Sequence, residues 1–144
     1  MNHWLFLFRL RHKQVLQAIA DSERLTSGEI RVCISHRKSK DPMADAQSQF
    51  DKLGMAGTTE RNGILFFIAP RSRNFAIVGD EAIHSKCSDE FWCELTAILS
   101  EAFSNGKLTD GLVSGVRRAG ELLALHFPKS SHDHNELPDE IVRQ

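Results

Sequence analysis

The sequence predicts an α/β fold: a three-layer α/β/α sandwich around a small mixed sheet with a central antiparallel hairpin. Two continuous apolar runs, Ile64–Ala69 and Phe75–Val78, are typical of strands that are buried on both faces. The link between them, residues 70–74, is short enough to close an antiparallel hairpin. Apolar residues at helical spacing come before and after this pair, so helices are expected on both faces of the sheet.

Length and composition are those of one soluble domain. The chain has 144 residues, enough for a single well-buried core. Its 18 basic and 19 acidic residues leave a formal net charge of −1, so no nucleic-acid partner is expected. Three cysteines, Cys33, Cys87 and Cys93, form no CxxC pair. This argues against a disulfide framework and favours a reducing compartment.

The first half of the chain predicts a helix, a strand and a second helix. Residues 11–23 carry apolar side chains at helical spacing, whereas residues 29–36 alternate and are rich in β-branched side chains. Asp41 and Pro42 suit the N-cap and the first position of the second helix. This helix should end near Gly54. Four residues are predicted on its inner face: Met43, Ala46, Phe50 and Leu53.

Helices follow the hairpin. A short helical segment is expected after Asp80, before a long helix that starts at Ser88 and ends at Asn105–Gly106. The pair Thr109–Asp110 is predicted to cap the last helix, which Pro128 stops. Apart from the short segment, the predicted element order is α-β-α-β-β-α-α.

The chain divides into three predicted regions. These are an N-terminal segment at 1–10, the α/β domain at 11–128 and a polar tail at 129–144. In the tail, Leu137 and Ile141 are the residues best suited to dock on the domain.

The N-terminal segment contains an apolar patch, Trp4–Phe8, which basic residues follow directly. The patch is too short to span a bilayer, and its charges lie on the wrong side for a signal peptide. Packing on the domain is one interpretation; a peripheral contact with a membrane or a partner protein is the other. Because Phe91, Trp92 and Phe103 are expected in the core, the prediction is a cytoplasmic monomer.

Polar residues cluster at the open end of the predicted hairpin. Arg61 and Asn62 precede its first strand, and Asp80 and Glu81 follow its second. The predicted strand at 29–36 is joined to the hairpin strand Ile64–Ala69 by the helix that starts at Asp41. A right-handed crossover through this helix suggests that the two strands are parallel, so Glu29 should start at the same edge. Carboxylates, an amide and nearby carbonyls are the hard oxygen ligands that suit Ca²⁺ or, as the alternative, Mg²⁺. The pattern therefore predicts a divalent-cation site at this edge.

Each of these residues also has a purely structural interpretation. Asp80 would cap the turn that follows it, and Arg61 would pair with a carboxylate or, beside a metal, hold a phosphate. Asp110 is either the N-cap of the last helix or, turned inward, a further metal ligand. Spacing alone leaves both choices open.

No motif for a zinc site, a catalytic nucleophile or a nucleotide-binding loop is present in the sequence. The sequence contains no zinc-ligand spacing, no nucleophile elbow and no Gly-rich phosphate or dinucleotide loop. An organic cofactor is therefore not expected, and any enzyme activity should be weak.

Several short motifs, in the same order, resemble the TPM domain family. They are TSGEIRV at 26–32, FxxLGM at 50–55, TxxRNGIL at 58–65, IxGDxxIH at 77–84, the tryptophan at 92, FxxG at 103–106, GL at 111–112 and NELP at 135–138. The resemblance spans residues 15–138 and implies a Rossmann-like α/β/α sandwich. Members of this family include a thylakoid-lumen protein of photosystem repair with reported acid phosphatase activity, and bacterial proteins reported to bind calcium.

The family pattern places its characteristic polar residues at the predicted edge. They are Thr58, Arg61, Asn62, Gly63, Gly79 and Asp80. The resemblance therefore adds Thr58 to the predicted site. Like Arg61, Thr58 is expected either to contact a phosphate or to serve as a structural partner. Three functions remain: a Ca²⁺-binding module in protein assembly, repair or interaction; a weak metal-assisted acid phosphatase; and a plain interaction domain without a ligand.

Overall fold

The structure, a computed structural model, describes residues 11–129 and 141–143. Four strands form one mixed sheet in the order β3-β2-β1-β4. The strands are β1 (Glu29–Ile34), β2 (Gly63–Ala69), β3 (Asn74–Gly79) and β4 (Ile141–Arg143). The helices are α1 (His12–Glu23), α2 (Pro42–Lys52), α3 (Glu81–Lys86), α4 (Asp89–Asn105) and α5 (Leu108–His126). Short 3₁₀ turns occupy Met55–Gly57 and Pro70–Ser72.

The register of the sheet confirms the predicted topology. Strand β2 runs parallel to β1, with Glu29 opposite Gly63, and antiparallel to β3, with Ile64 opposite Gly79. The starts of β1 and β2 and the end of β3 therefore lie at one edge, which we call the polar edge. It comprises residues 26–29, 58–63 and 79–81.

Two apolar layers cover the two faces of the sheet, as the α/β/α prediction requires. Successive residues of a strand point to opposite faces. Ile64, Phe66 and Ile68 therefore pack with α1, α4 and α5, whereas Leu65 and Phe67 pack against α2. All seven residues of β2 are buried, which explains why its sequence shows no alternation.

The helix ends follow the local chemistry that the sequence displays. Asp41 accepts a hydrogen bond from the Ala44 amide at 3.1 Å and so caps α2, as predicted. Gly54 and Gly106 take the left-handed conformation, with φ of 69° and 68°, at the ends of α2 and α4.

Two predictions about residue placement were wrong. Met43 is 54% exposed, because the buried stripe of α2 runs through Ala46 and Phe50 and leaves the first turn beside the outer edge of β3. Helix α5 begins at Leu108, so the Gly111 amide already donates to the Lys107 carbonyl at 3.0 Å. Neither Thr109 nor Asp110 is therefore the N-cap.

Strand β4 was not predicted. It pairs in parallel with β1, with Ile141 opposite Val32, and so adds a fourth strand from the region interpreted as a polar tail. Ile141 and Val142 pack on opposite faces of the sheet. The apolar patch Trp4–Phe8 and Leu137 lie outside the described residues.

Candidate functional site

A bidentate ion pair lies at the centre of the polar edge. The Arg61 Nε donates to Asp80 Oδ2 at 2.7 Å, and Arg61 Nη2 donates to Asp80 Oδ1 at 2.8 Å. Asp80 is 6% exposed, whereas the Arg61 side chain is 41% exposed and closes over it. These hydrogen bonds to Asp80 raise the pKa of the Arg61 guanidinium above its ordinary value.

Asp80 also caps the helix that follows it. Its Oδ1 accepts a hydrogen bond from the Glu81 amide at 2.8 Å, at the N-cap position of α3. Arg61 in turn approaches the Glu81 carboxylate, with Nη1 3.6 Å from Oε1. Both structural roles that the sequence suggested for Asp80 and Arg61 are therefore present.

The backbone holds Arg61 in this position. Its φ is 54°, in the left-handed region that side chains other than glycine rarely occupy. The Ala82 amide donates to the Arg61 carbonyl at 3.1 Å, and the Asp80 amide donates to the Gly63 carbonyl at 2.9 Å. These two bonds extend the β2–β3 ladder beyond the strands, so the conformation of Arg61 is maintained by the hairpin itself.

A second hydrogen-bonded cluster joins β1 to β2. Asn62 is 1% exposed, and its Nδ2 donates to Glu60 Oε2 at 2.9 Å and to Ser27 Oγ at 3.1 Å. The Ser27 hydroxyl donates to the same Glu60 oxygen. Ser27 and Glu60 are thus site residues that the sequence analysis missed. Each lies within three residues of a strand start, which is the signal that was available.

The segment before β1 is fixed by the end of the last helix. The Thr26 hydroxyl donates to the Phe127 carbonyl at 2.5 Å, and the Ser27 amide donates to the same carbonyl at 2.9 Å. Gly28 lies close to the β2 segment, because a Cβ there would be 3.3 Å from the Asn62 carbonyl oxygen. The two strand starts are therefore held in contact by backbone as well as by side chains.

Three other predicted residues also lie at the polar edge. Glu29 is buried opposite Gly63, and Glu81 is exposed beside Arg61. Thr58 is buried, and within the described residues its Oγ1 has no hydrogen-bond partner. A buried hydroxyl without a partner is costly, and Thr58 contributes no hydrogen bond to the clusters around Arg61 and Asn62.

Asp110 is not part of this assembly. The C-terminal part of α5 reaches the polar edge, where Leu123 would contact a Cβ placed on Gly28. Asp110 lies in the first turn of the same helix, about 20 Å away at 1.5 Å per residue. There it lines a surface depression with Arg11 and Lys107. The direction of α5 therefore carries Asp110 to the far end of the domain, away from the other predicted ligands.

Two features are lacking in the described part of the chain. No group of three or more His, Cys, Asp or Glu side chains is arranged to hold a metal ion by itself. No helix within residues 11–129 is long and apolar enough to cross a membrane.

The fold and the polar edge define a small α/β/α domain in which a hairpin, closed by an Arg–Asp pair, carries an oxygen-rich edge. The chain belongs to the TPM domain family, whose pattern matches residues 6–122. No curated protein sequence is significantly similar to the chain.

Two solved structures are similar to this domain. The BA42 protein from the psychrophilic bacterium Bizionia argentinensis is 35% identical, with a TM-score of 0.88, covering 94% of this chain and 96% of its own. The N-terminal domain of the cg2496 protein from Corynebacterium glutamicum is 17% identical, with a TM-score of 0.62, covering 86% of this chain and 80% of its own. The second likeness concerns the fold alone.

Proposed function

We propose that this TPM domain is a non-enzymatic binding module that takes up a divalent cation, Ca²⁺ in preference to Mg²⁺, at the polar edge. One observation carries the proposal: at this edge the carboxylates of Asp80 and Glu81 share one guanidinium, that of Arg61, and a third carboxylate, Glu60, binds only the neutral groups of Asn62 and Ser27 among the residues described here. The local charge is therefore negative in a chain that is nearly neutral as a whole. An amide and hydroxyls add neutral oxygen atoms beside these carboxylates.

The ion would not replace Arg61 at Asp80. Both Asp80 oxygens accept hydrogen bonds from Arg61, and Oδ1 also accepts one from the Glu81 amide. Glu60 and Glu81 are exposed: Glu60 binds Asn62 and Ser27 through Oε2, and Glu81 Oε1 lies 3.6 Å from Arg61 Nη1, so these are the two carboxylates able to take an ion. In this proposal Asp80 and Arg61 position the edge, and the exposed carboxylates with Asn62 supply the ligands.

The small number of ligands predicts weak binding that prefers calcium. Two carboxylates leave most of the coordination sphere to water and neutral oxygens, so we expect a dissociation constant on the order of 10⁻⁴–10⁻³ M. Ca²⁺ accepts irregular sets of oxygens, whereas Mg²⁺ demands near-octahedral geometry and gives up its waters reluctantly. A bound ion would stiffen residues 58–62 and present them as an interaction surface for protein assembly or repair.

The geometry favours this function over a metal-assisted phosphatase. A phosphatase of this type would use Arg61 to hold the phosphate. Its guanidinium already donates two hydrogen bonds to Asp80, from Nε and Nη2, and its Nη1 lies beside Glu81. An incoming phosphate would have to displace or face these carboxylates.

Backbone NMR spectra recorded during Ca²⁺ and Mg²⁺ titrations test the proposal. We expect saturable shifts of the amides of residues 26–29, 58–63 and 79–82 with Ca²⁺, and smaller shifts at the same Mg²⁺ concentration. Amides near Asp110 serve as the internal control and should not move. Absence of saturable shifts at 10 mM Ca²⁺, a concentration about tenfold or more above the expected dissociation constant, would overturn the proposal.

A further inference from the structure

We propose that the outer edge of β3 docks an extended segment of a partner polypeptide, which adds to the sheet as a strand beside β3. The proposal concerns the long side of the hairpin and does not depend on a cation at the polar edge. In the described part of the chain, β3 ends the sheet on one side and pairs only with β2.

The register identifies the backbone groups that face outward. In an antiparallel pair, alternate residues direct their N–H and C=O groups to the neighbouring strand. The bond from the Asp80 amide to the Gly63 carbonyl, together with the pairing of Ile64 with Gly79, assigns Asn74, Ala76 and Val78 to the β2 side. Phe75, Ile77 and Gly79 therefore direct their amides and carbonyls to the open edge. A row of such groups selects an extended polypeptide.

A groove runs along this edge between two helical walls. Its volume is about 550 Å³, and its floor is the β3 segment 75–78. One wall is the first turns of α2, where Met43 is 54% exposed. The other wall carries Trp92, which stacks on His84 with ring centroids 5.0 Å apart. Both walls therefore offer apolar surface to side chains that point up or down from an added strand.

The shape of the groove excludes a second copy of the same edge. Ala76, Ile77 and Val78 are only 5–7% exposed, so the strand lies below the level of the flanking helices. Two recessed edges cannot approach to the 4.7–4.9 Å spacing of paired strands, whereas a single extended segment can. The opposite edge of this sheet already receives such a segment, because β4 is three residues of distant chain added to β1.

The occupant follows from this geometry. It is a short extended segment that has no proline at the positions that bond to β3. Its apolar side chains lie at alternate positions, where they contact Met43 and Trp92 on the walls of the groove. Main-chain hydrogen bonds would supply affinity, and the two walls would supply selectivity.

Selection from a displayed library of random octapeptides against the full chain tests the proposal. We expect enriched peptides that have apolar residues at alternate positions. Peptides chosen from these should lose at least tenfold in affinity against Met43→Glu. Leu125→Glu is the matched control, because Leu125 is an exposed apolar residue on α5, outside the groove, and affinity should change less than twofold. Neither substitution affects a buried side chain, so both variants should fold.

Amide exchange provides a readout specific to strand addition. In the free protein, the amides of Ala76 and Val78 should be protected and those of Phe75 and Ile77 should exchange quickly. A bound peptide should slow the exchange of Phe75 and Ile77. Enrichment no greater than background, binding that Met43→Glu leaves intact, or protection of Phe75 and Ile77 already in the free protein would each overturn the proposal. The last outcome would mean that a segment of the chain itself, or a different segment of a second copy, covers the edge.

Discussion

Arg61 and Asp80 face each other across the open end of the β2–β3 hairpin and share two hydrogen bonds of 2.7 and 2.8 Å. Asp80 follows the last residue of β3, and Arg61 stands two residues before the first residue of β2. One carboxylate thus closes the hairpin and starts α3 at the same time. The pair explains why a strand pair with apolar faces carries charged residues at its open end.

Asp80→Asn should lower the free energy of unfolding by about 1–3 kcal/mol, because it weakens charge-assisted hydrogen bonds to Arg61 and to the Glu81 amide. In a double-mutant cycle with Arg61→Ala, the losses of the two single variants should not add, because each removes or weakens the same two hydrogen bonds between Arg61 and Asp80. Urea unfolding of the four proteins measures this. Glu101→Gln, an exposed change at the far end of α4, is the control. Coupling indistinguishable from zero would contradict the structural role of the pair.

Glu60→Gln should weaken Ca²⁺ binding at the polar edge, and Asp110→Asn should not. Wild-type protein in Ca²⁺ tenfold above its dissociation constant should gain about 1.4 kcal/mol over protein in EDTA, which corresponds to a rise in melting temperature of about 3–6 °C. Most of this rise should disappear in Glu60→Gln. Thermal melts in EDTA and in Ca²⁺ give the answer. An identical wild-type melting temperature in both would remove the cation from this edge, and loss of the rise in Asp110→Asn would contradict the placement of the site.

Gly79→Ala should destabilise the protein by about 1–3 kcal/mol through overpacking at the end of β3. A Cβ at Gly79 would lie 2.6 Å from Trp92 Cη2 and 3.0 Å from the Ile83 side chain. Gly57→Ala is the matched control, because nothing lies within 4 Å of a Cβ there. Melting temperatures of the two variants should therefore separate clearly. Equal stability would mean that the Trp92 ring does not pack on Gly79.

Stability should fall as the pH rises from about 9 to 11, partly because of Cys33. Burial raises the pKa of the Cys33 thiol from 9.0 to about 11, although nearby Arg31 opposes the shift. In this window the unfolded chain loses the proton while the folded chain keeps it, so unfolding becomes more favourable by at most about 1.4 kcal/mol per pH unit. Denaturant midpoints at pH 8, 9 and 10 should fall less steeply for Cys33→Ala than for the wild type. Parallel slopes would show that the thiol does not contribute.

The thiols should also differ in reactivity. Burial raises the pKa values of both Cys33 and Cys87, whereas Cys93 is exposed on α4. Ellman's reagent at pH 8 should therefore modify one thiol per folded chain quickly, and Cys93→Ser should abolish that fast phase. A fast phase that survives this substitution would place the accessible thiol elsewhere.

The sequence by itself determined the elements whose residues carry their own pattern. Continuous apolar runs predicted β2 and β3, and the short link between them required antiparallel pairing. The right-handed crossover implied that β1 and β2 are parallel, which placed Glu29 at the polar edge with Arg61 and Asp80. Asp41 and Gly106 marked the start of α2 and the end of α4 through local backbone chemistry. Burial and capping act within a few residues of chain, so they leave a signal that can be read from the sequence.

Only the tertiary structure decided what depends on the path of the chain. The three residues of β4 are too few to show a period, and the length and direction of α5 carried Asp110 away from the other predicted ligands. The cluster of Ser27, Glu60 and Asn62 forms because two separate segments meet at one edge. Spacing likewise left open whether Asp80 pairs or stands free, and the left-handed backbone at Arg61 brought the guanidinium onto it. Contacts between distant segments depend on how the whole chain packs, so they cannot be predicted from the pattern of residues within one segment.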